Sequence, residues 1–113
     1  MVNSYYTGAL VRVATYTGPS ISPTGGFMDV NGNLADPTVI TLKYKPGSAA
    51  STITVIYPTA PIVKDGVGLY HADLDTTGLL PVGMALDEWT YEWIGTGAIQ
   101  APALNIFEVK AGL

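Results

Sequence analysis

The 113-residue chain contains no cysteine, which excludes a disulfide framework and any thiolate metal site. Charge is scarce too: Asp, Glu, Lys and Arg make up 12% of the residues, against roughly 25% in an ordinary soluble domain. Only five residues are basic, Arg12, Lys43, Lys45, Lys64 and Lys110, and they are scattered. With a net charge of −4 and no basic cluster, the chain lacks what a groove tracking a nucleic-acid backbone needs. No apolar run approaches the roughly 20 residues of a membrane span. The opening MVNSYYTGALVRV has no basic stretch before an apolar segment, so no cleaved export signal is expected. Neither nucleic acid nor membrane is an expected partner.

Helical patterning is missing as well. No apolar repeat at i, i+3, i+4, i+7 is sustained, and 13 Gly and 8 Pro interrupt the chain throughout. What fills the gap is period-two alternation rich in Val, Ile, Thr and Tyr. It predicts strands over Ala9–Thr17, Pro37–Lys45, Thr52–Pro58, Ile62–Gly66, Gly68–Asp75, Glu88–Gly95 and Asn105–Val109, with a helical turn near Met84. Asn31-Gly32 is the strongest hairpin signal in the chain. The fold expected is an all-β, immunoglobulin-like β-sandwich of roughly seven to eight antiparallel strands without a disulfide. At this length it forms one domain over residues 9–113, preceded by an N-terminal arm over residues 1–8. Tyr5 and Tyr6 in that arm read either as interface anchors or as part of a frayed terminus.

Chemistry concentrates in DGVGLYHADLD, Asp65 to Asp75, where three carboxylates stand with the only histidine, His71. His71, Asp73 and Asp75 alternate along one strand face, which spreads neighbouring members about 7 Å apart. Asp65, Asp87 and Glu88 would have to join them to bind calcium, and no calcium-loop spacing is present. One histidine without a Gly-x-Ser-x-Gly elbow or a phosphate loop leaves little material for nucleophilic catalysis. No metal site, no cofactor and no enzymatic activity are expected, and the acidic run reads as a solvated face.

A structural reading accounts for more of these residues. Asp65-Gly66-Val67-Gly68-Leu69-Tyr70 resembles the tyrosine corner of immunoglobulin-like sandwiches, in which a buried Tyr bonds back to the backbone a few residues upstream. Asp65 would cap that turn. Where antibody domains carry a cysteine, two residues on, stands Ala72. Trp89, Tyr91 and Trp93 share one face of the next strand, and with Tyr70 and Phe107 they are the expected core. Such rings bury about 150–250 Å² each. The same aromatic face would alternatively serve as a sugar-stacking platform.

Taken together, DPTVITLKYKPG, DGVGLYHADLD, WTYEWIGTG and the closing FEV resemble small immunoglobulin-like proteins of tailed bacteriophages. The resemblance runs in order from Asp36 to Val109, and the loop Gly18–Gly26 departs from it. It implies a non-enzymatic virion component made in the bacterial host cytoplasm, a head decoration protein or a neck protein. Its partners would be other virion structural proteins (major capsid, portal or connector, or tail), with homo-oligomers also in view. The alternative is a carbohydrate- or receptor-binding immunoglobulin-like module.

Overall fold

Alternation of β-branched and aromatic residues with small polar ones gives strands with one apolar face, and such faces bury in pairs. The computed structural model describes residues 3–6, 8–19, 21–48, 50–77, 86–97 and 105–110. Among them are ten strands and no helix. They are β1 (Asn3–Tyr6), β2 (Leu10–Ala14), β3 (Tyr16–Thr17), β4 (Thr24–Gly25), β5 (Ile40–Lys45), β6 (Ile53–Ile56), β7 (Ile62–Gly66), β8 (Leu69–Asp75), β9 (Leu86–Gly95) and β10 (Asn105–Lys110). The helical turn expected near Met84 falls outside the described residues.

Two sheets carry the architecture. A five-stranded sheet has the order β1-β10-β9-β5-β6, and a three-stranded sheet the order β2-β8-β7. Their inner faces share one core. Val11, Val13, Ile62, Tyr70, Ala72 and Leu74 come from the smaller sheet, and Ile40, Leu42, Trp89, Trp93, Phe107 and Val109 from the larger. The molecule is therefore an all-β, sandwich-like protein. Strand β9 supplies the most mass, since Trp89 and Trp93 are 1% and 0% exposed. Burying rings of this size stabilises by roughly 4–6 kcal/mol each before entropy is counted.

Four expectations need correction. Ten strands are described where roughly seven to eight are expected, the additional ones being β1 and the short ribbon β3–β4. Residues 3–6 of the expected arm form strand β1, which pairs with β10 in parallel, Asn3 opposite Phe107 and Tyr6 opposite Lys110. Tyr5 meets Phe107 edge to face, with ring centroids 5.8 Å apart, so packing holds the segment against the larger sheet. That pairing also makes the sheets not wholly antiparallel. Finally, the strand expected over Ala9–Thr17 breaks at Thr15. Thr15 donates its N–H to Tyr70 O on β8, but its own carbonyl accepts from Gly26 N, both at 2.9 Å. The chain thus changes partner at Thr15 and leaves the sheet as the ribbon β3–β4. At Asn31-Gly32 there is a turn, closed by the bridge between Met28 and Leu34 and by Asp29 Oδ1, which accepts from Asn31 N and Asn33 N.

Candidate functional site

The outer face of the three-stranded sheet carries the densest polar chemistry. Antiparallel register puts Arg12 opposite Asp73, Ala14 opposite His71, and Val63 on the far side of His71. Strand alternation then turns Arg12, His71 and Asp73 away from the core. His71 Nδ1 faces the Asp65 carboxylate at 2.7 and 2.9 Å. A carboxylate opposite Nδ1 accepts, so the ring carries its proton there. Tyr16, delivered by the break at Thr15, donates its hydroxyl to Asp65 Oδ2 at 2.8 Å. Arg12 grips Asp73 through Nε at 3.0 Å and Nη2 at 3.3 Å. The two halves approach each other where His71 Nε2 lies 4.0 Å from Asp73 Oδ2, too far for a hydrogen bond.

Asp65 therefore does not cap its own turn. It orients His71 and Tyr16 across the sheet, and His71 is only 8% exposed, so this part of the run is not a solvated face. Burial, then the hydrogen bond to Asp65, pushes the Tyr16 hydroxyl above its ordinary pKa. The Arg12 guanidinium holds Asp73 below the usual carboxylate range. Asp75 is exposed and accepts from Thr77 N at 2.9 Å. Asp87 lies on the other sheet, buried, where its Oδ1 accepts from Ser48 N and Glu88 N. The carboxylates considered as a calcium set are thus divided between two sheets. Among the described residues, no group of three metal-ligating side chains converges.

A second polar knot ties the quoted motifs together at Asp36. Its Oδ1 accepts from Gly68 N at 2.9 Å and from the Tyr70 hydroxyl at 2.8 Å, while Oδ2 meets Lys64 Nζ at 2.7 Å. Tyr70 thus bonds to a side chain 34 residues upstream, not to nearby backbone as a tyrosine corner would. Burial pushes the Asp36 carboxyl up, but these three donors more than offset it and leave it below its ordinary value. Burial and the Asp36 carboxylate push the Tyr70 hydroxyl well up. The Gly-Thr-Gly that ends β9, Gly95 to Gly97, joins the same region. Thr96 exchanges backbone hydrogen bonds with Thr38 and Val39, and its Oγ1 accepts from Val39 N at 3.0 Å.

Of the residues expected in the core, Tyr70, Trp89, Trp93 and Phe107 are buried, and Tyr91 is half-buried against Phe107. Tyr44 stacks on Trp89 with an interplanar angle of 7°. In the expected arm, Tyr5 is half-buried and Tyr6 is 52% exposed. Sequence reasoning missed Tyr16, Arg12 and Asp36. Arg12 was findable, since a charge between two inward valines faces out and seeks a charge on its neighbour. Nothing local pointed to Tyr16 or Asp36, because their partners are 49 and 34 residues away.

Chemically, the outer face holds two separate sets of hydrogen bonds, Tyr16 and His71 on Asp65 and Arg12 on Asp73, that approach each other without joining. It holds an oriented imidazole, yet no Ser or Thr hydroxyl is bonded to that ring among the described residues. The chain gives no match to any family model, curated protein or solved structure.

Proposed function

We propose that the chain is a non-enzymatic structural component of a bacteriophage virion, attached to the capsid or the head–tail junction as a decoration or neck protein. The motifs from Asp36 to Val109 suggest this reading, and the placement of the aromatic mass carries it. A sugar-stacking module must present rings to solvent, whereas Trp89 and Trp93 lie inside the core. Apart from Tyr6, the large apolar side chains exposed among the described residues are aliphatic, Leu10, Ile21, Ile53, Ile56, Val63 and Val67 among them, on a chain poor in charge. Such a surface suits contact with other proteins. The strand orders support an immunoglobulin-like reading, with β2-β8-β7 as strands B-E-D and β10-β9-β5-β6 as G-F-C-C′.

Quantitative mass spectrometry of purified particles from the source of the sequence tests the proposal. A copy number comparable to the shell protein assigns a decoration protein, and a few copies per particle assign the neck. Absence from the particle overturns the reading. Tryptophan emission provides a parallel check: it should be blue-shifted and indifferent to added glycans. Red-shifted emission quenched by glycans would favour the sugar-binding alternative.

A further inference from the structure

Of the four edges that the two sheets present among the described residues, two are guarded by charge. Strand β2 carries Arg12, and β7 carries Lys64 and Asp65, a common defence against unwanted strand pairing. Strand β1 is Asn-Ser-Tyr-Tyr. Only β6 is built wholly of threonine and β-branched aliphatic residues, Ile53-Thr54-Val55-Ile56. It lies within an uncharged run from Pro46 to Val63. Ile53 and Ile56 are 40% and 51% exposed.

The backbone phase of this edge can be read directly. Tyr57 N donates to Ile40 O at 2.9 Å, and Leu42 faces Val55 in the same register. Antiparallel alternation then turns the N–H and C=O of Ile53 and Val55 toward β5 and those of Thr54 and Ile56 outward. The Ile56 carbonyl is taken by Thr59 N at 2.9 Å. The open edge therefore offers the N–H and C=O of Thr54 and the N–H of Ile56, which are the groups another strand would pair with.

Side chains on the outer face select the kind of strand. One cross-strand row runs Glu92, Lys43, Thr54, and the next runs Ile94, Thr41, Ile56. Beside them lies an open depression of about 390 Å³, lined by Lys43, Lys45, Thr52, Thr54, Thr90 and Glu92. Arg12 and Lys64 are held in ion pairs, whereas Lys43 and Lys45 make none among the described residues. Thr52 and Thr54 are short, so a lysine stem can lie across them and reach a carboxylate on an added strand.

We propose that β6 accepts an extended strand of a partner protein that carries acidic side chains at two alternate positions. These seat over Thr54 and Thr52 toward Lys43 and Lys45, and an apolar residue covers Ile56. The inference stands whether or not the chain belongs to a virion, because it rests on this edge alone.

The probe is a fluorescently labelled, end-capped heptapeptide, Thr-Val-Val-Glu-Val-Glu-Thr, titrated with the full chain by anisotropy. A counterpart with lysine in place of both glutamates is run beside it. The glutamate peptide is expected to bind, more weakly as salt rises, and to prefer the chain over its lysine counterpart by about tenfold or more. Thr54→Pro removes the outward N–H without breaking the ladder to β5, a change that edge strands tolerate. It should abolish binding while leaving the circular dichroism unchanged. The Lys43→Glu/Lys45→Glu double variant should lose about tenfold or more by charge alone, and it tests the idea even if Thr54→Pro misfolds. Equal binding of both peptides, no binding of either, or full binding by a folded Thr54→Pro variant overturns the proposal. A concentration-dependent dimer that Thr54→Pro dissolves overturns it too, assigning the edge to a second copy of the chain.

Discussion

At residue scale one of the tightest positions is Gly68. Its φ of +71° disfavours any side chain, and a Cβ there would lie 2.5 Å from the Phe27 carbonyl oxygen. The same residue donates its N–H to Asp36 and accepts at its carbonyl from Phe27 N. Backbone strain and a steric clash therefore act together. Gly68→Ala is expected to cost about 2–4 kcal/mol, read as a lower midpoint in urea unfolding. A cost within about 0.5 kcal/mol, typical of an unremarkable surface change, would mean that the Asp36 knot does not fix this turn. Gly47 is similarly constrained: a Cβ there would lie 2.5 Å from Asp87 Oδ2, at a φ of +115°.

At the scale of elements, the outer-face set on Asp65 couples β7 and β8 with the ribbon that begins at Tyr16. Asp65 is its centre, and the Asp65 side chain is 18% exposed. Asp65→Ala removes the acceptor of both His71 Nδ1 and the Tyr16 hydroxyl, so it is expected to destabilise by about 1–3 kcal/mol. Tyr16→Phe in the Asp65→Ala background should then add little, as a double-mutant cycle would show. Full additivity would mean that the tyrosine and the carboxylate act independently. The elements themselves were largely legible in the sequence. Period-two alternation marked β5, β6, β7, β8, β9 and β10, because a half-buried strand writes its two faces into consecutive residues. Harder to read were features set by distant partners. Strand β1 exists because β10 offers it an edge, the break at Thr15 follows from the position of Gly26, and the Tyr70 hydroxyl finds Asp36 across 34 residues. For the outer-face site, the run containing His71 and its carboxylates was visible. That Asp65 would fold back onto His71 was not, since a turn cap is equally consistent with the local sequence.

Over the whole molecule, acid is the informative stress. Asp36, Asp73, Asp75 and Asp87 are all held below the ordinary carboxylate value of 3.8. Burial opposes this at Asp36 and Asp87, where hydrogen-bond donors outweigh it. At Asp73 the Arg12 bond leads, and at Asp75 the bonds from Thr77 lead. A carboxylate depressed by folding stabilises the native state above its unfolded value, and that contribution is lost as pH falls through its folded value. Thermal midpoints should therefore stay level from neutrality to about pH 5 and then fall steadily below about pH 4. In Asp36→Asn the midpoint should start lower and fall less. A wild-type midpoint that holds to about pH 2 would contradict these assignments.

The parallel pairing of β1 with β10 has a mechanical consequence. Both strands run the same way, with Asn3 beside Phe107 and Tyr6 beside Lys110. Tension entering ahead of β1 and leaving beyond β10 therefore pulls the two strands past each other along their length. Their evenly spaced bonds are loaded together, in shear, instead of opening one after another like a zipper. A chain strung in series between neighbours through these two strands would resist stretching at its first strand, and hold the sandwich behind it intact.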